Sequence, residues 1–122
     1  MLTFYIDSDI ILQMKRLSFF ASSRSNFMDF PVIVRRKAGF QLDRVQRGID
    51  PDDWKPMTLI GSGVKEIRIR ETSGAFRIIY VASFAEAVFV LHAFQKKTQK
   101  TTAQDLALAT ARFKDLLRSF KK

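Results

Sequence analysis

Apolar residues recur along this chain with two different periods, and the switches between them mark out its elements. From Val64 to Arg70, Ile67 and Ile69 alternate with Glu66, Arg68 and Arg70. A period of two predicts a strand with isoleucines on one face and arginines on the other. Thr72-Ser73-Gly74 supplies turn residues, and Ala75 to Ala82 is rich in β-branched and aromatic side chains with Arg77 among them, so the two segments predict an antiparallel hairpin. Ala87 to Phe94 (AVFVLHAF) is apolar except for His92, as in a strand covered on both faces. Further upstream, Leu17, Phe19 and Ala21 alternate with Arg16, Ser18 and Phe20 and predict a first strand, followed by a loop over Ser22 to Asn26.

Helical spacing takes over at Val34, Ala38, Leu42 and Val45, with Arg35, Arg36, Lys37, Arg44 and Arg47 mostly on other sides of the helix. Asp29-Phe30-Pro31 reads as the entry and Gly48 as the stop. Gly39, inside the run, predicts either a break into two helices or a close packing contact. Ile49 to Gly63 reads as a loop carrying a short strand at Met57 to Ile60, with Trp54 plugged onto the core. A last helix bears one stripe, Leu106, Ala109, Phe113, Leu116, Leu117 and Phe120, and opens on a cap formed by Thr102 and Asp105. Strand, helix or helices, three strands and helix make an α+β layered domain. We read residues 14–122 as that domain and residues 1–13 as an N-terminal extension or an extra strand.

Composition changes this picture in two respects. A net charge of +9 over 122 residues makes polyanions the natural partners. The charge is not in a tail: residues 24–47 and 64–100 each carry a net +4 and residues 101–122 a net +3. The absence of cysteine excludes a disulfide scaffold and thiolate zinc sites and favours a reducing, cytoplasmic setting. Asp7 and Asp9 interrupt the apolar start too early for a signal peptide or membrane span. No Gly-rich phosphate loop, HExxH pattern or metal-ligand spacing is present, so neither a metal nor another cofactor is expected.

The run KEIRIR, a turn, GAFRIIY, an apolar strand and LHAFQKKTQKT, together with AGFQLDRVQRG and PDDWKPM, resembles the RelE/HigB superfamily of toxins from type II toxin–antitoxin systems. It is most similar to the phage-derived, HigB-like branch, over about Lys15 to Leu117. The resemblance implies a small antiparallel-rich sheet packed against N-terminal helices and a C-terminal helix. It implies a ribosome-dependent mRNA endonuclease that works without metal, by attack of a ribose 2′-hydroxyl on the adjacent phosphate. It also implies a cognate antitoxin, of HigA-like helix-turn-helix type, as partner.

Carried over by position, Arg68 and Arg77 fall on basic catalytic positions of the hairpin, and Lys96 or Lys97 falls near the basic residue after the last central strand. The tyrosine that some members carry beyond that point is missing from Thr98 to Thr102, and His92 could take part of its role. Arginine suits a phosphorane because its forked donors match phosphate oxygens, and its permanent charge makes it a poor base. Proton transfer then falls to His92, to a lysine whose pKa is depressed by neighbouring cations, or to water and RNA on the ribosome. Lys65, Arg70, Lys100, Arg36 and Lys37 are expected to contact RNA. The same fold also serves gyrase poisons of the ParE type, and a basic face can bind nucleic acid without cutting it.

Overall fold

The computed structural model describes residues 2–6 and 10–121. Its centre is a five-stranded mixed sheet, in the order β3 (Arg16–Phe19), β7 (Ala87–Lys96), β6 (Gly74–Val81), β5 (Val64–Glu71) and β4 (Trp54–Pro56). β3 runs parallel to β7 and every other neighbour is antiparallel. The segments expected to be extended from Val64 onward are strands, and the fold is α+β as predicted. β1 (Leu2–Ile6) and β2 (Ile10–Met14) form a separate antiparallel ribbon outside that sheet. The rest of the 1–13 extension, Met1 and residues 7–9, lies outside the described residues.

The two faces of the sheet are covered unequally. On one, α2 (Val32–Gln46) buries the predicted stripe Val34, Ala38, Leu42 and Val45 against Ile67, Ile69, Phe76, Ile78 and Tyr80, with Phe27 of α1 (Ser23–Met28) completing the layer. On the other, α3 (Ala103–Ser119) sets Ala109, Phe113 and Leu116 on Ile79, Val81, Phe89 and Leu91. α3 crosses only part of that face, and the ends of β5, β6 and β7 near the hairpin turn lie beyond it.

A register shift in β7 decides which residues reach the uncovered region. Tyr80 is paired with Val90 and Ile79 with His92, so Leu91 is an extra, bulged residue. Its carbonyl accepts from Arg112 of α3 at 2.9 Å, and the same guanidinium donates to Asn26 Oδ1 and Ser22 Oγ at 2.9 and 2.8 Å. Beyond the bulge, His92, Phe94 and Lys96 share a face with Ile79, Arg77 and Ala75.

Several local expectations change. Ser22 to Asn26 is not a loop: α1 begins at Ser23, whose buried hydroxyl donates to Val90 O at 2.9 Å. Asp29 ends α1 instead of capping α2, whose N-cap is Pro31. The short strand is Trp54–Pro56, and Met57 to Ile60 is a turn. Trp54 is half-buried on that edge strand, with Lys65 Nζ 4.4 Å from its ring centre, and does not plug the core. α2 passes unbroken through Gly39, where an added Cβ would meet nothing within 4 Å. Gly39 therefore has neither a hinge nor a packing role, and Gly39→Ala is expected to raise stability by about 0.5–1 kcal/mol in urea unfolding; a loss would show that the helix needs the glycine.

Candidate nucleic-acid interface

β-Sheet register assembles the site. Arg68 faces Arg77 across β5 and β6, and Arg77 faces Phe94 across β6 and β7. One step toward the turn lie Arg70, Ala75 and Lys96; one step away lie Glu66, Ile79 and His92. These nine residues form a three-by-three grid on one face of the sheet. Arg68 turns its backbone N–H outward to Asp53 O at 2.9 Å, so Arg68 and Arg77 form a non-hydrogen-bonded pair, the arrangement that brings side chains closest. Like charges placed so are repulsive. Something must hold them there.

Glu66 does so. Its carboxylate is 1% exposed, with Oε1 3.5 Å from Arg77 Nε, and Oε2 accepts from Thr101 Oγ1 at 3.2 Å. Arg77 is itself 5% exposed, and its Nη1 donates to Phe76 O at 3.1 Å. Burial pushes the Arg77 pKa below its ordinary value, Glu66 opposes this, and Arg68 and Arg70 add to it. Arg68 is half-buried with Asp53 at 3.8 Å, while Arg70 is exposed and meets no carboxylate within ion-pair distance among the described residues.

Ala75 has only a methyl group to set between Arg70 and Lys96, and a cleft of about 460 Å³ opens there, lined by Arg70, Ala75, Arg77, Lys96 and Lys97. Next to it a second cleft of about 430 Å³ includes Lys55, Lys96, Lys100 and Thr101. Lys96 stands at the junction. Its pKa is lowered by desolvation first and then by Arg77, with Lys55 and Arg68 contributing and Glu66 opposing.

Of the expected residues, the structure brings together Arg68, Arg70, Arg77 and Lys96, with Lys97 and Lys100 on the cleft walls. It separates Lys65, which lies on the opposite face beside Tyr80 and pairs with Asp50 at 3.1 Å. Lys37 is held by Glu71 at 2.7 Å, and that contact, together with hydrogen bonds from the Thr72 N–H and hydroxyl, pulls the Glu71 carboxyl down to about 2. Arg36 sits with Arg68 and Arg70 along a groove beside α2. His92 is 4% exposed, beneath the start of α3, with Nε2 2.8 Å from Asp105 Oδ1 and its ring stacked on Phe94 at 5.0 Å. Burial lowers its pKa despite Asp105, so Nε2–H donates to the carboxylate, and Nδ1 has no partner among the described residues. Among the described residues no group of three or more His, Cys, Asp or Glu could hold a metal ion, and no helix is long and apolar enough to cross a membrane.

The sequence reading missed Glu66, Ala75 and Lys55. Glu66 alternates with Arg68 and Arg70 and so belonged to the same face by period alone, but its burial depends on Thr101, distant in sequence. Ala75 and Lys55 carry no signal until the register is known.

Residues 25–114 match the model of the phage-derived, Gp49-like protein family (DUF891). The chain belongs to the Gp49-like family. That family is one of RelE/HigB-like toxins. No curated protein matches the chain. The matched span of this Gp49-like chain runs from α1 into α3 and contains the whole grid.

One pH effect follows from His92. Its folded pKa lies below the ordinary imidazole value of 6.5, so below that value the unfolded chain takes up a proton that the folded one refuses. Stability is therefore expected to fall as pH drops from 7 toward 5, and His92→Gln is expected to flatten that slope in urea unfolding. An unchanged slope would show that His92 is not held neutral.

Proposed function

We propose that this Gp49-like protein is the toxin of a toxin–antitoxin pair and a metal-free endoribonuclease that cuts mRNA on the ribosome, with the grid as its active site. The observation that carries this reading is the cleft over Ala75, where Arg70, Arg77 and Lys96 converge and which Arg68 flanks from the facing strand. A phosphodiester seated there meets guanidiniums on one side and an ammonium on the other. In transesterification the 2′-oxygen loses its proton and forms a bond to phosphorus, the bond from phosphorus to the 5′-oxygen breaks, the leaving 5′-oxygen takes a proton from water, and a cyclic phosphate and a 5′-hydroxyl result. Arg68 and Arg77 neutralise the charge that builds on the phosphorane oxygens.

Lys96 is the group we assign to proton transfer. A crowded ammonium loses its proton more readily than a free one, and the neutral amine can accept the 2′-hydroxyl proton. His92 is turned toward Asp105, so its role is to support Phe94 and the entry of α3. A net charge of +9 gives the field that draws the protein to ribosomal and messenger RNA. Toxicity of this kind requires a cognate antitoxin, for which an operator-binding helix-turn-helix protein remains our expectation, and a cytoplasmic site of action.

Brief expression followed by mapping of mRNA 5′ ends on translating ribosomes tests the reading. Codon-phased cuts are expected, reduced about 100- to 1,000-fold by Arg68→Ala, in line with removal of one transition-state donor. Arg68 is preferred to Arg77 because its side chain is only half-buried and its loss leaves Glu66 paired. In a reconstituted assay, cleavage is expected to rise with pH, and Lys96→Gln is expected to abolish that rise. Intact messages with broken DNA would point to a gyrase poison, and intact messages and DNA to a binding module; either overturns the proposal.

A further inference from the structure

The grid accounts for one phosphate, yet a basic surface continues past it. β4 pairs only with Lys65 to Ile67, so among the described residues the β5 edge away from β6 has no strand neighbour beyond the Arg68 N–H. Between this free strand end and α2 runs a groove of about 460 Å³, within the range of small-ligand sites, about 300–1,000 Å³. Arg36 and Phe40 of α2 form one wall, and Arg68 and Arg70 form the other. Phe40 is 61% exposed, although the helix buries Ala38 and Leu42 beside it.

The charge in the groove is uneven. Its two carboxylates are already engaged: Asp52 accepts from Gln41 Nε2 at 2.8 Å, and Asp53 lies 3.8 Å from Arg68. Arg36 and Arg70 have no carboxylate within ion-pair distance among the described residues. Lys37 reaches across from α2 to β5, to Glu71 at 2.7 Å and to Arg70 O at 3.3 Å. Arg70 also lines the cleft with Arg77 and Lys96. Its guanidinium is thus the ridge between the two depressions, and a chain of phosphates can follow cations from one into the other.

We propose that this groove is a second nucleotide subsite: a base of single-stranded RNA next to the cleaved step stacks on the Phe40 ring, and its phosphates lie against Arg36 and Arg70. One exposed aromatic among unpaired cations is the combination by which proteins hold single strands without reading their sequence. An amphipathic protein helix would need a row of apolar anchors inside the groove, and its lining offers Phe40 beside the buried Ile69. The subsite rests on the RNA-cleaving reading and extends it from one phosphate to a short track.

The test uses the whole chain and 2′-O-methyl RNA oligonucleotides, which bind without being cut. For a six-nucleotide strand, Phe40→Ala is expected to weaken binding about tenfold, and Phe40→Trp to preserve it. For a dinucleotide, which fills the grid alone, Phe40→Ala is expected to leave affinity unchanged. Emission from the indole introduced by Phe40→Trp is expected to be quenched by the six-nucleotide strand and not by inorganic polyphosphate, with the parent's own Trp54 signal as baseline. Equal binding of the six-nucleotide strand by parent and Phe40→Ala, with no quenching, would overturn the subsite while leaving the cleavage site standing. Loss of antitoxin binding in Phe40→Ala with RNA binding intact would assign the groove to the protein partner and overturn it too. Failure of the parent to bind either oligonucleotide would overturn the subsite and the RNA reading together.

Discussion

The site depends on a single buried ion pair. Arg68, Arg70, Arg77 and Lys96 are drawn together by sheet register alone, and their mutual repulsion opposes that arrangement. Glu66 is the one carboxylate within the grid. It neutralises Arg77 from below, at a depth where an unpaired guanidinium could not be kept, while Arg68 and Lys96 are half-buried and Arg70 is exposed. The result is a cluster with one cation held in place and three directed outward. Thr101 ties the same carboxylate to the segment between β7 and α3, so the wall that carries Lys100 is fixed relative to the sheet.

The fold serves this arrangement by covering the sheet unevenly. α2 and α1 close one face and bury the isoleucines of β5, while α3 closes only the half of the other face that holds Ile79, Val81 and Leu91. Arg112 binds the bulged Leu91 carbonyl and joins α3 to the turn before α1, which holds the bulge that turns Lys96 toward Arg77. If Leu91 paired regularly with Ile79, the alternation of β7 would place Lys97, not Lys96, on the grid face. A structural contact remote from the cleft thus selects one of its cations.

Much of this was legible from residue order. The period-two run of β5 put Arg68 and Arg70 on one face, the turn at Thr72 to Gly74 made a hairpin, and the stripe of α2 named its buried face, as Ala109, Phe113 and Leu116 did for α3, whereas Leu117 and Phe120 of that stripe are exposed. What the pattern could not supply were facts set by distant parts of the chain. Glu66 looks like a rim residue until Thr101 and Arg77 enclose it. Lys65 is the exception, because the alternation of β5 by itself already puts it on the isoleucine face, where it meets Asp50 and the Trp54 ring. Lys96 and Lys97 are equivalent until the bulge is seen. Ser22 to Asn26 has loop composition, yet Ser23 folds into α1 because its hydroxyl finds the Val90 carbonyl on the neighbouring strand. Lys65 apart, a partner far along the chain overrode a local preference.

The central claim is that the guanidiniums of Arg68 and Arg77 close on the same phosphate. A structure of the protein bound to a short RNA blocked at the 2′-oxygen by methylation tests it most directly. We expect oxygens of one phosphate within hydrogen-bond distance, about 2.7–3.2 Å, of both side chains, with Lys96 on the side of the blocked 2′-oxygen. RNA lying across α2 with no phosphate between the two arginines would contradict it.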